Sequence, residues 1–223
     1  MATSYTYKPI VIDGLVTYID SFNHKSYLPG STYSQDIVGQ FVGDLNNGTS
    51  YDASTKSFVF DGVDDMISFY DINVNGYDKI TINFWVNLSN DTGGLVQYWK
   101  DSDANGGGIE VEIYSGTIYI AFRSNEYFYT LDPITIGVWS NYTVVYNGQS
   151  VGNEVRFFID GVEYNLSSTL NIQSTITNGE YLRIGEIVGR YINGYIPLVM
   201  VYNRDLTTGE ILQNYNAIKN RFI

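Results

Sequence analysis

The chain contains no cysteine. Disulfides, thiolate metal centres and cysteine nucleophiles are therefore excluded. It contains a single histidine, His24, with no serine or cysteine partner identifiable by spacing, so a nucleophilic triad is not expected. Basic residues are few: 12 Lys and Arg stand against 24 Asp and Glu, a formal net charge of −12. A surface of that sign repels a phosphate backbone, and nucleic acid is not an expected partner. There is no apolar run near 20 residues, so no membrane insertion is expected. The N-terminus has no basic segment leading into an apolar one, so no signal peptide is expected either.

What is present points to strands. Hydrophobic residues make up 44% of the chain and charged residues only 16%, with 21 Tyr, 11 Phe and 22 Gly. Abundant aromatic and β-branched residues are a β composition, and disordered chains lack aromatics. Residues 1–13 read as an N-terminal extended arm. Residues 14–223 read as one domain, because no linker, repeat or change of composition interrupts them. Gly14 to Asp20 is a first strand, and residues 21–57 form a long turn-rich connection. About a dozen short strands follow. Ile80, Ile82, Phe84 and Val86 share one strand face; Ile109, Val111 and Ile113 alternate with Glu110, Glu112 and Tyr114; Ile118, Ile120 and Phe122 alternate with Tyr119, Ala121 and Arg123. Asp160-Gly161 between two apolar runs predicts a hairpin turn.

One helix is expected, at the C-terminus. Thr207 and Glu210 stand at capping-box spacing. Ile211, Tyr215, Ile218 and Phe222 then recur at four, three and four residues as a single stripe, and Lys219 and Arg221 fall in the last turn. Short strands separated by regular turn signals, with one terminal helix, predict an all-β, two-sheet antiparallel sandwich that the helix covers.

The order of landmarks resembles the concanavalin A-like, or laminin G-like, jelly-roll domain. The matching pieces are Gly14-Leu15-Val16-x-Tyr18-x-Asp20, Phe58-Val59-Phe60-Asp61-Gly62-Val63-Asp64-Asp65, Ile80 to Val86, Gly137 to Tyr146, Val155 to Gly161, Leu182 to Gly185, and Val201-Tyr202-Asn203-Arg204-x-Leu206 with Glu210-Ile211. The opening around Asp20 and the tail from Val201 to Phe222 are similar to those domains in virion structural proteins of tailed bacteriophages. Many relatives carry an acidic residue where Pro197-Leu198 stand here. The resemblance implies a non-enzymatic virion accessory protein, decorating a capsid or associated with a head or tail fibre. It would act by binding proteins or a host surface. The implied partners are other virion proteins, further copies of the chain, and surface glycans; the implied location is the virion, after synthesis in the host cytoplasm. A carbohydrate-binding, lectin-like module is the alternative.

Three clusters could carry chemistry. Glu110 and Glu112 share a strand face, as paired carboxylates of glycan hydrolases do. Tyr114 occupies the third same-face position, where those enzymes continue the acidic pattern, so catalysis is disfavoured and the pair reads as a solvated strand face. Asp101, Asp103, Asn105, Gly106 and Glu112 match the spacing of a calcium-binding loop. The flanks read as strands rather than helices, and the competing reading is a polar turn. Calcium at Asp101, Asp103 and Asn105 is the one cofactor candidate, with Asp61, Asp64 and Asp65 a second acidic group. Finally, Tyr119, Arg123, Tyr127 and Tyr129 gather on or near one strand face. They would suit stacking on a sugar ring, a subunit contact, or an outer sheet face. Trp85 and Trp139 read as core.

Overall fold

A computed structural model describes residues 8–99, 108–123, 126–148, 155–168 and 181–223. In chain order the first strands are β1 (Leu15–Asp20), β2 (Tyr33–Gln35), β3 (Val42–Asn46), β4 (Ser50–Asp52), β5 (Ser57–Asp61) and β6 (Met66–Phe69). Next are β7 (Ile80–Leu88), β8 (Gly93–Trp99), β9 (Ile109–Tyr114), β10 (Thr117–Arg123), β11 (Glu126–Thr130), β12 (Ser140–Tyr146) and β13 (Val155–Ile159). The last are β14 (Val162–Tyr164), β15 (Leu166–Ser168), β16 (Tyr181–Ile184), β17 (Glu186–Ile187), β18 (Arg190–Tyr191) and β19 (Asn193–Tyr202). Helix α1 (Thr208–Ile218) and a 3-10 turn (Lys219–Arg221) close the chain.

Among the described residues these strands form two large antiparallel sheets, the jelly-roll sandwich expected from the sequence. One has the order β14-β13-β12-β7-β19-β5-β4, with β1 also pairing to β19. The other has nine strands, in the order β15-β11-β10-β9-β8-β16-β6-β3-β2. Strands β17 and β18 make a separate small hairpin. Two-residue alternation builds the core between the sheets. Ile82, Phe84 and Val144 of the first sheet meet Val96, Val111, Ile120 and Ile184 of the second in one buried cluster.

Strands β7 and β12 are buried on both faces, because α1 covers the outer face of their sheet. Trp85, Met200 and Tyr202 lie under Ile211 and Ile218, with Tyr215 and Phe222 packed against them. Phe222 stacks on Trp85 at 4.5 Å between ring centroids. The predicted stripe thus docks on the sheet. The capping box forms as expected: the Glu210 amide donates to Thr207 Oγ1, and the Thr207 amide donates to a Glu210 oxygen at 2.9 Å. Arg204 grips Glu210 with two hydrogen bonds and holds its carboxyl down at about 2. Lys219 and Arg221 fall in the 3-10 turn rather than the α-helix. Arg221 donates two hydrogen bonds to Asp20, which is buried at the end of β1.

The N-terminal residues are tied to the same helix. The Val11 amide donates to Asn214 Oδ1 at 2.8 Å, and Gln213 donates to the Pro9 carbonyl. The connection expected over residues 21–57 differs from its reading: it supplies β2, β3 and β4, which lengthen the edges of both sheets. The hairpin at Asp160-Gly161 is as predicted, with both residues at positive φ, 53° and 80°, as a type I′ turn requires.

Candidate functional site

While α1 covers the outer face of one sheet, the candidate side chains lie on the outer face of the nine-stranded sheet. Two cross-strand rows define it. Tyr129, Tyr119, Glu112 and Gly94 lie directly opposite one another on β11, β10, β9 and β8. The neighbouring row runs Tyr127, Ala121, Glu110, Gln97 and Arg183, ending on β16. Successive residues of one row share a face because side chains alternate along each strand.

Three of the four residues expected at a ligand or interface site come together in these rows. The Tyr119 ring stacks on Tyr129 and meets Tyr127 edge-on, each at 5.8 Å between centroids. All three rings are half-buried, so their faces remain partly open. The Arg123 backbone pairs with Glu126 at a register shift beside them. The expected calcium ligands Asp101, Asp103 and Asn105 lie outside the described residues. Glu112, the last position of that loop pattern, is committed elsewhere: Arg190 Nε donates to its Oε2 at 2.8 Å, and Arg190 Nη2 donates to the same oxygen.

That contact shows what the sequence reading missed. The β17–β18 hairpin folds over this face, and Gly94 permits it. A Cβ at Gly94 would stand 2.2 Å from the Ile187 nitrogen and 2.4 Å from the Glu186 carbonyl carbon. The hairpin delivers Arg190 to Glu112 and Glu186 to the adjacent row. Glu186 Oε2 accepts from Gln97 Nε2 and from Arg183 Nη1, each at 3.3 Å, while its Oε1 accepts from the Gly189 amide at 2.6 Å. The adjacent glycines at 93 and 94 inside a strand pattern were the available signal for such a close approach.

The solvated face expected for Glu110 and Glu112 is accordingly not what forms. Glu110 is only 9% exposed. Burial pushes its carboxyl up to about 7, the Glu112 and Glu186 charges add to the rise, and Arg190 opposes it. The face therefore combines an aromatic platform, an Arg–Glu pair, and one carboxyl that burial pushes up to about 7. Gln97 Oε1 is buried without a hydrogen-bond partner. Such a surface can stack on an apolar ring face and exchange hydrogen bonds with hydroxyls.

The described strands thus form a jelly-roll sandwich whose nine-stranded sheet carries a polar and aromatic outer face. Comparison with known proteins agrees with this fold. A family model described as the concanavalin A-like lectin/glucanases superfamily matches residues 61–212. The chain belongs to that superfamily. A search of curated proteins finds no match. Among solved structures, the chain is similar to the botulinum neurotoxin type G receptor binding domain. There the identity is 14% and the TM-score 0.67, over 91% of this chain and 51% of that one. The chain spans about half the length of the neurotoxin domains it matches. It is also similar to domain 4 of AbnA, an extracellular arabinanase from Geobacillus stearothermophilus, in complex with arabinotriose. Here the identity is 18% and the TM-score 0.68, covering 90% of this chain and 98% of that one. The Trypanosoma rangeli sialidase matches at 12% identity and a TM-score of 0.67, over 94% of this chain and 33% of that one. At these identities the solved structures establish the fold alone. Among the described residues, no helix is long and apolar enough to cross a membrane.

Proposed function

We propose that this chain is a non-catalytic recognition module that takes a glycan on the outer face of its nine-stranded sheet. The observation that carries the reading is the contiguous platform of Tyr119, Tyr127 and Tyr129 beside the Glu112–Arg190 pair. Aromatic rings supply apolar area for the C–H face of a sugar, and the fixed polar groups orient its hydroxyls. The arabinanase domain, matched over nearly its whole length, is a fold relative whose structure is in complex with arabinotriose. The finer context we propose is a tailed-phage virion, with the module as an accessory protein that meets a host-surface glycan. Other virion proteins and further copies of the chain would be its protein partners. The resemblance of the segments around Asp20 and from Val201 to Phe222 supports that context. An array of bacterial surface glycans tests the binding; a hit lost on Tyr119→Ala supports it. Reattachment of purified protein to particles lacking it tests the virion role, and absence of reattachment opposes it.

One observation favours a second reading, glycan hydrolysis: a buried carboxyl pushed up to about 7 on the same strand face as a second carboxyl is the pattern of a general acid. Product release from a glycan that disappears in Glu110→Gln would establish hydrolysis and overturn the non-catalytic reading.

A further inference from the structure

A cleft of about 430 Å³ opens at the opposite edge of the nine-stranded sheet. It is lined by His24 and Lys25 from the connection after β1, by Gln35 at the end of β2, and by Ile37 and Gln40 from the β2–β3 turn. Strands β9, β8, β16, β6 and β3 separate β2 from the tyrosine-bearing β10, so the cleft is distinct from the tyrosine face.

Both walls are fixed by the backbone. On one side the Asn23 amide donates to the Asp20 carbonyl, and Asn23 Oδ1 accepts from the Lys25 amide at 3.0 Å. The Gln35 amide donates to the Ser26 carbonyl at 2.7 Å, and Ser26 Oγ donates back to the Gln35 carbonyl at 2.6 Å. On the other side the buried Asp36 carboxylate accepts from the Tyr18, Val38 and Gly39 amides at 2.7, 3.1 and 2.9 Å. Its charge is thereby taken up inside the turn. The Ile37 amide donates to the Tyr18 carbonyl at 2.9 Å and ties the turn to β1. A cleft with walls held this way needs no ordering when a ligand arrives.

The lining is unusual for this chain. In a protein of net charge −12 it brings together one ammonium, the only imidazole, two carboxamides and an isoleucine, with no carboxylate. Lys79, Arg156, Arg183, Arg190, Arg204 and Arg221 are all in ion pairs, whereas Lys25 is in none among the described residues. Gln40 stands at φ 60°, in the left-handed region that side chains other than glycine's rarely adopt. The turn thus keeps a long carboxamide at the cleft where glycine would sit with less strain, and such strain gathers at binding sites.

We propose that this cleft binds an acidic sugar, a hydroxylated ring carrying one carboxylate. A single ammonium matches a monoanion; a phosphate dianion is better held by several N–H donors or an arginine fork, and the lining has no arginine. The carboxamides and the imidazole both donate and accept, as sugar hydroxyls require. Ile37 supplies apolar area for the C–H face of the ring, and the volume lies in the range of small-molecule sites.

The test is an NMR titration of the full chain with sodium glucuronate, with glucose as the neutral counterpart and inorganic phosphate as the other anion. Glucuronate should shift the amide signals of the lining residues saturably, and glucose and phosphate should bind more weakly. Lys25→Gln should weaken glucuronate about tenfold or more, as expected for loss of a charge-assisted hydrogen bond. The wild-type affinity should fall between about 0.05 M and about 0.5 M sodium chloride, and that of Lys25→Gln should not. Gln40→Gly should bind more weakly yet melt no lower than wild type, because glycine accepts the left-handed backbone. Tyr119→Ala should leave this binding unchanged, which separates it from recognition at the tyrosine face. Absence of saturable shifts with glucuronate overturns the proposal. So does glucose or phosphate binding as tightly as glucuronate, or glucuronate binding that survives Lys25→Gln unchanged.

Discussion

Replacing Glu110 by glutamine should stabilise this protein, and the gain should appear only as the pH rises. Burial pushes the Glu110 carboxyl up to about 7 in the folded chain, against an ordinary value of 4.5. Below the ordinary value, both folded and unfolded chains hold the proton and burial adds no ionic penalty. Between the two values the unfolded chain ionises while the folded one keeps its proton, so stability falls as pH rises. Above about 7 both are ionised, and the folded state carries the whole cost of a buried carboxylate facing Glu112 and Glu186, relieved in part by Arg190. At about 1.36 kcal/mol per pH unit, the interval from 4.5 to about 7 corresponds to roughly 3 kcal/mol. Glutamine keeps the shape and cannot ionise. Urea unfolding of wild type and Glu110→Gln from about pH 4 to about pH 9 measures the effect as the difference between two profiles. That difference should move in favour of the variant by roughly 2–3 kcal/mol across the range, with most of the change between about pH 5 and pH 8. Glutamine's own hydrogen-bonding cost displaces the whole difference curve by a constant and leaves its slope intact. Parallel profiles would refute the reasoning, as would a variant that loses stability relative to wild type as pH rises.

Gly94→Ala should disturb the same site from the other side. The new Cβ meets hairpin backbone at 2.2 Å, so the hairpin must lift. The expected result is a loss of about 1–3 kcal/mol of stability, together with a flatter pH profile as Glu110 gains solvent. An unchanged profile would show that the hairpin is not what buries it. At the far face, Arg221→Met should leave Asp20, 1% exposed, without its cation. Because the Arg221 side chain is 34% exposed, the loss should sit at the low end for a broken buried pair, about 2–3 kcal/mol. For a chain of this size, that lowers the melting temperature by roughly 4–12 °C, read by calorimetry.

Much of this architecture was legible in the residues. Periodicity gave the inward faces of β7, β9 and β10, since burying one face of a strand forces a two-residue repeat. Thr207 and Glu210 marked the start of α1, and its stripe marked the side that docks. The edge strands β2, β3 and β4 were not legible. A strand such as Val42-Gly-Asp-Leu-Asn46 buries too little to alternate, and it is held by pairing to its neighbours rather than by its own pattern. The tyrosine platform was visible as a strand-face pattern, although nothing local said which rings would touch. The state of Glu110 was invisible, because alternation with isoleucine and valine reads as solvent exposure. The hairpin residues Glu186 and Arg190 whose charges act on it stand some 80 positions away in the chain, and Gly93 and Gly94 were the nearby sign of them.

Glycan binding by paired variants of the tyrosine face tests the central claim most directly. Wild type, Tyr119→Ala and Tyr129→Ala should be compared on one array of bacterial surface glycans, with equal melting temperatures confirming that each is folded. The account predicts a defined oligosaccharide hit for wild type that weakens at least tenfold in both variants, the order expected when a stacking ring worth about 1.4 kcal/mol or more is removed. A hit that persists unchanged in both variants would contradict it.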